Sequence, residues 1–310
     1  MINQLISIII PTYNREYLIG ETLDSIVSQT YKNWECIIVD DGSTDSSSGL
    51  ISNYVQQDKR FRYFERPNNI TKGANACRNI GIEKADGDYI IFFDSDDLMT
   101  ANHIELKLKG LLNNDVDYVI TRTKFFNSDL NYIDKYYQFD KYEITPINYI
   151  SQKINWLTYD VCIKSSLAKS IQFNENLQSG QEYNYFSKLV LKSTKAIFID
   201  EVVTLRRHHE NSIRSNIKTK SELNLGYFRS NWYTYLDVIN FGNKSVRLVL
   251  LKRCIILIYD ERRILTKNKF LFIKSVFKEF KLRAFYFLLM LFFRFFNKGF
   301  SFKKKLLKEI

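Results

Sequence analysis

Short apolar runs alternate along this chain with stretches in which apolar residues recur every three or four positions. Leu5–Ile10 is wholly apolar and stops at Pro11, which predicts a buried strand and then a loop, Pro11-Thr12-Tyr13-Asn14-Arg15. Leu18, Ile19, Leu23, Ile26 and Val27 follow at helical spacing. A second strand, Glu35–Val39, ends in Asp40-Asp41-Gly42-Ser43-Thr44-Asp45, whose serines and aspartates suit a turn and the start of a helix reaching about Gln57. A third short strand near Arg62–Glu65 precedes Pro67, and the stretch from Lys72 through Gly81 opens a helix that ends near Gly87. The apolar run Tyr89–Phe93 then predicts a central strand, which stops at Asp94-Ser95-Asp96-Asp97. A helix over Ala101–Asn113 and a strand at Asp117–Thr121 continue the alternation. Strands and helices at this spacing predict an α/β fold with a parallel, doubly wound sheet.

Beyond residue 124 the pattern loosens. Phe125–Tyr149 is rich in Tyr, Asn and Asp and reads as a loop or insertion. Trp156–Ile163 and Ala196–Ile199 read as strands, and Gln181–Leu191 as a helix. After Ser212 the patterning is helical, over about Lys220–Asn240 and Ser245–Leu265. Ile273, Phe277 and Phe280 share one face of a further helix, with Lys274, Lys278 and Lys281 one step round it. Ala284–Phe293 is wholly apolar but falls short of the roughly 20 residues that cross a bilayer. Aromatic residues beside many lysines fit a helix lying at a membrane surface. The competing reading is a helical hairpin packed on the body or on a second subunit.

Charge sharpens this picture. The net charge is +11, but twelve Lys or Arg stand against Glu279 and Glu309 between residues 267 and 310, so the rest of the chain is close to neutral. A body without its own basic face is not built to grip nucleic acid. The four cysteines, Cys36, Cys77, Cys162 and Cys254, are isolated, which argues against zinc or redox pairs and suits a reduced cytoplasmic setting. The strand pattern begins by Leu5 and leaves no room for a signal peptide.

The candidate chemistry lies at the strand ends. Three carboxylates within four positions, Asp94, Asp96 and Asp97, repel one another unless donors or a cation compensate, and Mg2+ or Mn2+ shared with phosphate oxygens would do so. The other reading is an acidic turn whose aspartates cap the next helix. Parallel strands share a carboxyl edge, so Asp40 and Asp41 belong to the same rim as these acids, which weakens the capping reading.

With these residues in place, the sequence resembles the family 2 glycosyltransferases of the GT-A fold. Ser7–Asn14, Ile38–Asp45, Gly73–Gly81 and Phe93–Asp97 match that family's signatures in order, and the resemblance covers roughly residues 5–213. It implies a nucleotide-diphosphate sugar lying across the strand ends. Thr12, Tyr13, Asn14, Arg15 and Asp41 or Asp40 would then bracket the base, Asp94 would meet the ribose, and Asp96 would ligate the metal. Asp97 would cap the following helix, and Arg78 would add a positive contact. Gly180-Gln181-Glu182-Tyr183-Asn184-Tyr185 is similar to the family's later acidic motif, which places Glu182 at the general-base position. Asp160 and Glu175 are substitutes. Gln181 and Asn184 stand where the family carries acids. Leu205–Ser212 is similar to an Arg-x-His-x-x-Ser stretch, with Arg207 directed to the diphosphate and His209 to the metal or a phosphate.

The expected organisation is a GT-A nucleotide-sugar-binding and catalytic domain over 1–215, a helical extension over 216–266 and a basic aromatic tail over 267–310. The expected activity is inverting transfer of a sugar to a saccharide acceptor, free or lipid-linked, in surface-polysaccharide synthesis. The protein would sit peripherally on the inner face of the membrane through its tail, with a homodimer left open and no nucleic-acid partner. The alternative is a catalytically degenerate nucleotide-sugar-binding or scaffolding protein.

Overall fold

The computed structural model describes residues 3–208, 219–261, 269–296 and 298–308. The chain folds as two compact units, residues 1–212 and 213–310.

The first unit is built on one eight-stranded sheet. Its strands are β1 (Ile6–Thr12), β2 (Trp34–Asp40), β3 (Phe61–Glu65), β4 (Tyr89–Phe92), β5 (Leu98–Met99), β6 (Tyr118–Phe125), β7 (Val161–Lys164) and β8 (Ala196–Arg206). They lie in the order β3-β2-β1-β4-β7-β6-β8-β5. Helices α1 (Ile19–Val27), α2 (Ser47–Gln57), α3 (Ala74–Lys84), α4 (His103–Asn114), α5 (Pro146–Ile150), α6 (Ser165–Lys169) and α7 (Gln181–Lys192) connect them. Strands β1 to β4 run parallel, with Thr12 opposite Asp40 and Ile9 opposite Phe92. This parallel half carries the strand ends that matter for the site.

β1 is buried along its whole length, as a central strand covered on both faces must be. Ile8 and Ile10 pack with Leu23 and Ile26 of α1, while Ile9 points the opposite way, toward α3. Gly81 permits that approach, because a Cβ there would overlap the Ile9 side chain. The four fully buried isoleucines of β1, Ile6, Ile8, Ile9 and Ile10, each stabilise the sheet by about 2 kcal/mol relative to exposure.

The sheet is not parallel throughout. β7 runs antiparallel to both β4 and β6, and β5 antiparallel to β8. The stretch expected as one strand over Trp156–Ile163 divides into a 3-10 turn, Thr158–Asp160, and β7. β8 continues past Ile199 to Arg206 through a register shift against β6. The expected loop over 125–149 holds a 3-10 turn at Asp134–Tyr136 and the short α5, whose Thr145 cap accepts from the Asn148 amide.

The second unit contains α8 (Lys220–Val238), α9 (Lys244–Asp260), α10 (Lys269–Phe280), α11 (Phe285–Arg294) and α12 (Phe300–Leu307). Thr219 and Glu222 form a reciprocal cap at the start of α8, and Asn243 caps α9. Helices on either side of residue 266 share one core, centred on Phe272. Its ring lies 5.0 Å from Trp232, 5.8 Å from Phe287 and 5.9 Å from Phe228. Glu279 is buried and pairs with Arg247 at 2.7 Å. The lysines expected on the outer face of α10, Lys274 and Lys278, are exposed, whereas Phe272, Val276 and Phe280 are buried against protein.

Candidate active site

The parallel strands β1, β2 and β4 deliver their carboxyl ends to one rim, and the loops that follow are joined to one another. The Asp41 amide donates to the Thr12 carbonyl at 2.9 Å. Asn14 adopts a left-handed backbone (φ 48°), which asparagine tolerates better than most residues. This turns its amide to Ser43 Oγ at 2.9 Å and its Oδ1 to the Thr44 amide at 2.8 Å. The Arg15 amide donates to Ser47 Oγ at 2.7 Å. Tyr13 stays 40 % exposed, with Lys72 Nζ 3.8 Å above its ring centre, so an aromatic face and a cation stand together at the mouth.

The two aspartates ending β2 have different surroundings. Both oxygens of Asp40 are held inside the protein: Oδ1 accepts from the Ser43 amide and hydroxyl at 2.8 Å each, and Oδ2 from the Tyr63 hydroxyl at 2.9 Å. Asp40, expected among the donor contacts, is thus built into the turn. Asp41 Oδ1 accepts from Arg66 Nε and from the Gly73 amide at 3.1 Å. Gly73 can present that amide because its φ of 142° suits glycine.

β4 ends in the acidic turn. Asp94 pairs with Arg78 at 2.8 Å and remains about one-third exposed, while Arg78 is buried and also donates to Gln181 Oε1 at 3.0 Å. Gln181 is neutral, so among the described residues Asp94 is the carboxylate that ion-pairs with Arg78. Asp96 lies 3.6 Å from Arg15 Nε, which ties the loop after β1 to the loop after β4. Asp97 is fully buried and accepts from the Arg207 amide at 2.7 Å. Burial first, then the charges of Asp96 and Asp94, hold its carboxyl well above the usual carboxylate range. Arg207, expected on a diphosphate, instead secures this turn: its Nε donates to the Asp96 carbonyl at 3.1 Å and a terminal nitrogen to Glu21 at 2.6 Å. His209 lies outside the described residues.

Glu182 reaches the same rim from the other half of the sheet. Asn75 and Asn79 on α3 grip the loop before α7, donating to the carbonyls of Asn174 at 2.7 Å and Phe173 at 3.0 Å. Gly180, left-handed at φ 68°, then turns the chain so that Gln181 and Glu182 open α7. Glu182 Oε2 accepts from Thr158 Oγ1 at 2.9 Å. Burial raises the Glu182 carboxyl above its ordinary value of 4.5; Arg206 and the Thr158 hydrogen bond work against that rise, Asp94 adds to it, and Arg78 opposes it. A half-buried carboxylate of raised basicity suits proton abstraction near neutral pH.

Thr158 and Arg206 carry no motif signal. Thr158 belongs to a turn locked by Asp160, a fully buried carboxylate that accepts from the Leu157 amide at 2.7 Å, Tyr137 OH at 2.9 Å and Thr123 Oγ1 at 2.5 Å. So enclosed, Asp160 cannot reach a substrate. Glu175, the other candidate base, accepts from Asn79 at 2.9 Å. Arg206 ends β8, and Asp97 and Glu182 are among the groups that raise its own pKa.

Among the described residues, no three His, Cys, Asp or Glu side chains are placed to hold a metal ion by themselves. Asp94 and Asp96 still offer hard oxygen donors on this rim, 34 % and 19 % exposed. Mg2+ or Mn2+ fits such donors, completed by oxygens of a bound ligand. Thr12 Oγ1 and Arg78 Nε are buried on this rim without hydrogen-bond partners among the described residues, which fits a polar ligand here.

Comparison with known proteins gives a consistent result. A family model described as glycosyl transferase family 2 matches residues 7–173. An uncharacterized glycosyltransferase of Haemophilus influenzae is 44 % identical over 126 residues, 41 % of this chain and 49 % of that protein. Glycosyltransferase GlyG of Streptococcus pneumoniae is 30 % identical over 257 residues, covering 79 % of this chain and 80 % of its own. WfgD of Escherichia coli, a UDP-Glc:alpha-D-GlcNAc-diphosphoundecaprenol beta-1,3-glucosyltransferase, is 33 % identical over 42 % of this chain and 49 % of that protein. The chain thus spans about half or less of the length of several of these relatives. Among solved structures, TarS 1–349 of S. aureus in complex with UDP-GlcNAc superposes with a TM-score of 0.67 at 17 % identity, over 97 % of this chain and 90 % of that one. The mannosyltransferase PcManGT of Pyrobaculum calidifontis, in complex with GDP-Man and Mn2+, gives 0.59 at 16 % identity, over 97 % and 83 %.

Proposed function

The chain belongs to glycosyl transferase family 2, and from that premise we propose that it transfers one sugar from a nucleotide-diphosphate donor to a saccharide acceptor, with inversion at the anomeric carbon. One observation carries this reading. Asp41, Asp94 and Asp96 stand on one rim, and Arg78 links Asp94 to Gln181, the neighbour of Glu182. The acids proposed for the donor and the helix start that carries the candidate base are thereby tied through one arginine.

Each group has a task its chemistry suits. Asp41 accepts an N–H of the base, and Tyr13 offers its face for stacking. Asp94 meets the ribose hydroxyls, and Arg78 and Arg15 supply positive charge where the diphosphate leaves. Asp96 would hold Mg2+ or Mn2+, which would neutralise charge on the departing diphosphate. Glu182 takes the proton of the acceptor hydroxyl from the face opposite the leaving group. Asp40 and Arg207 hold the two acidic turns in shape.

For the acceptor, the reading includes a lipid-linked saccharide in surface-polysaccharide synthesis, supported by the diphosphoundecaprenol-linked acceptor for which the E. coli relative is named. It also places the protein peripherally at the inner face of the membrane. Among the described residues no helix is long and apolar enough to cross a membrane.

The test is a thermal-shift panel of UDP- and GDP-sugars with Mn2+, followed by assay of nucleoside diphosphate release. A donor at about 100 times its Kd should stabilise the protein by about 2.7 kcal/mol. A panel in which no sugar nucleotide raises the Tm and none is turned over would end the proposal. Binding of a donor without turnover would leave a nucleotide-sugar-binding protein.

Thr158 gives a finer check on the base. Its hydroxyl donates to the ionised form of Glu182, so its removal should raise the carboxyl pKa further. Thr158→Val is expected to move the acidic limb of the pH–rate profile to higher pH, lowering kcat several-fold at pH 6 and little at pH 9, with KM for the donor unchanged. Thr158→Ser should restore the wild-type profile. A uniform loss at all pH values would assign Thr158 a packing role only.

A further inference from the structure

Helix α11 exposes a continuous apolar stripe that its own unit does not cover. Phe285, Leu288, Leu289 and Phe292 recur at helical spacing, Phe295 and Phe296 follow the end of the helix, and all six are exposed, Phe292 by 62 % and Phe295 by 82 %. The opposite side of the helix is packed: Phe287 and Met290 are buried, with Phe287 against Phe272. A third side is taken by α12, where Phe302 stacks 5.0 Å from Phe293. Packing therefore accounts for two faces and leaves the third, an arrangement that isolated surface hydrophobes do not produce.

The surroundings of the stripe select its occupant. Between residues 280 and 308 the sequence has eight Lys or Arg and no Asp or Glu. Lys281 lies before the stripe and Lys298 after it, both exposed, and Lys305 of α12 sits 5.6 Å from the Tyr286 ring beside it. A second copy of the chain would bring the same positive rim against itself, which opposes self-association. An anionic lipid surface supplies both a partner for the cations and an apolar layer for the aromatic residues. At ten residues α11 is about 15 Å long, half the hydrocarbon thickness, so it can lie in the interface but not span it.

We infer that α11 is the membrane-docking element, inserting the stripe Phe285–Phe296 into the headgroup boundary of an anionic leaflet while the flanking lysines contact lipid phosphates. This deepens the peripheral placement proposed above and centres it on α11, since Phe272, Val276 and Phe280 of α10 are taken by the protein core.

The full chain should co-sediment with vesicles of phosphatidylcholine containing phosphatidylglycerol, more weakly with phosphatidylcholine alone, and less at high salt. The double variant Phe285→Ser, Phe292→Ser should reduce the bound fraction at least tenfold, with a small change in Tm because both side chains are mostly exposed. Lys281→Glu and Lys298→Glu should each weaken binding to the anionic vesicles about fivefold or more. As a readout independent of these losses, Phe292→Trp should show a blue-shifted emission on vesicle addition and quenching by brominated lipid. No vesicle binding, or binding untouched by the Phe285/Phe292 pair, would overturn the inference. So would a concentration-dependent dimer that the same pair abolishes. Turnover with a soluble acceptor should survive every α11 variant, and a missing turnover in wild type would indict the transferase reading instead.

Discussion

Glu182→Gln is expected to lower sugar transfer by about 10²- to 10⁴-fold while leaving donor binding intact. Gln preserves the shape and can still accept from Thr158 Oγ1, which donates to Glu182 at 2.9 Å, but it cannot take a proton. The pH dependence follows from the direction of the shift. The carboxyl is raised above 4.5, chiefly by burial, so wild-type kcat should rise with pH through that raised value and level off above it. The variant should lack this limb. Stability supplies a control with the opposite sign. A folded-state pKa above the unfolded one favours the protonated form in the fold, so stability falls as pH rises from the unfolded value to the folded one, and the full cost is present above it. At neutral pH the Gln variant should therefore melt at the same temperature as wild type or higher, and below pH 4 the two should converge. A variant that keeps full transfer moves the base elsewhere. One that loses donor binding as well would show that Glu182 shapes the donor site rather than the proton transfer.

The strand ends carrying the acids were legible because local pattern and global topology agree there. Leu5–Ile10, Glu35–Val39 and Tyr89–Phe93 are apolar runs that end in turn residues, and parallel neighbours must bring such ends to one edge. Direction is another matter. Nothing in Val161–Lys164 marks it as antiparallel to β4, because a four-residue run has no polarity signal, and the preceding turn is shaped by contacts from Thr123 and Tyr137 far back in the chain. Leu98–Met99 is too short for any period to appear. Asp200 and Glu201 interrupt the apolar pattern of β8 and conceal its continuation to Arg206. Side-chain partners were hidden for the same reason. Motif position directed Arg207 toward a ligand, yet its partners, Glu21 and the Asp96–Asp97 turn, are more than 100 residues away in sequence. The tail shows the limit of periodicity alone: α10 and α11 both present apolar faces, and only packing around Phe272 decides which is used within the protein.

Asp96→Asn should reduce transfer on the order of 10²- to 10³-fold and remove the cation dependence of donor binding. The argument starts from charge. Asp94 is paired with Arg78 at 2.8 Å, whereas the ion pair between Asp96 and Arg15 is longer, 3.6 Å. Asp96 is also partly exposed on the rim, while Asp97 is enclosed and given to the Arg207 amide. A hard divalent ion placed among these acids and a diphosphate would thus depend most on Asp96. An amide keeps the volume of the carboxylate but surrenders the negative charge that makes it a ligand for such an ion. In thermal-shift titrations, wild type should gain more from donor and Mn2+ together than from either added separately, and Asp96→Asn should respond to the donor alike with and without the ion. Asp40→Asn provides the contrast. Because the Asp40 oxygens are held by Ser43 and Tyr63, its loss should lower the Tm without altering the response to Mn2+. Equal sensitivity of the two variants to the ion would place the cation away from Asp96. Undiminished transfer by Asp96→Asn in excess chelator would leave the fold and the base in place and charge Arg15 and Arg78 alone with stabilising the leaving diphosphate.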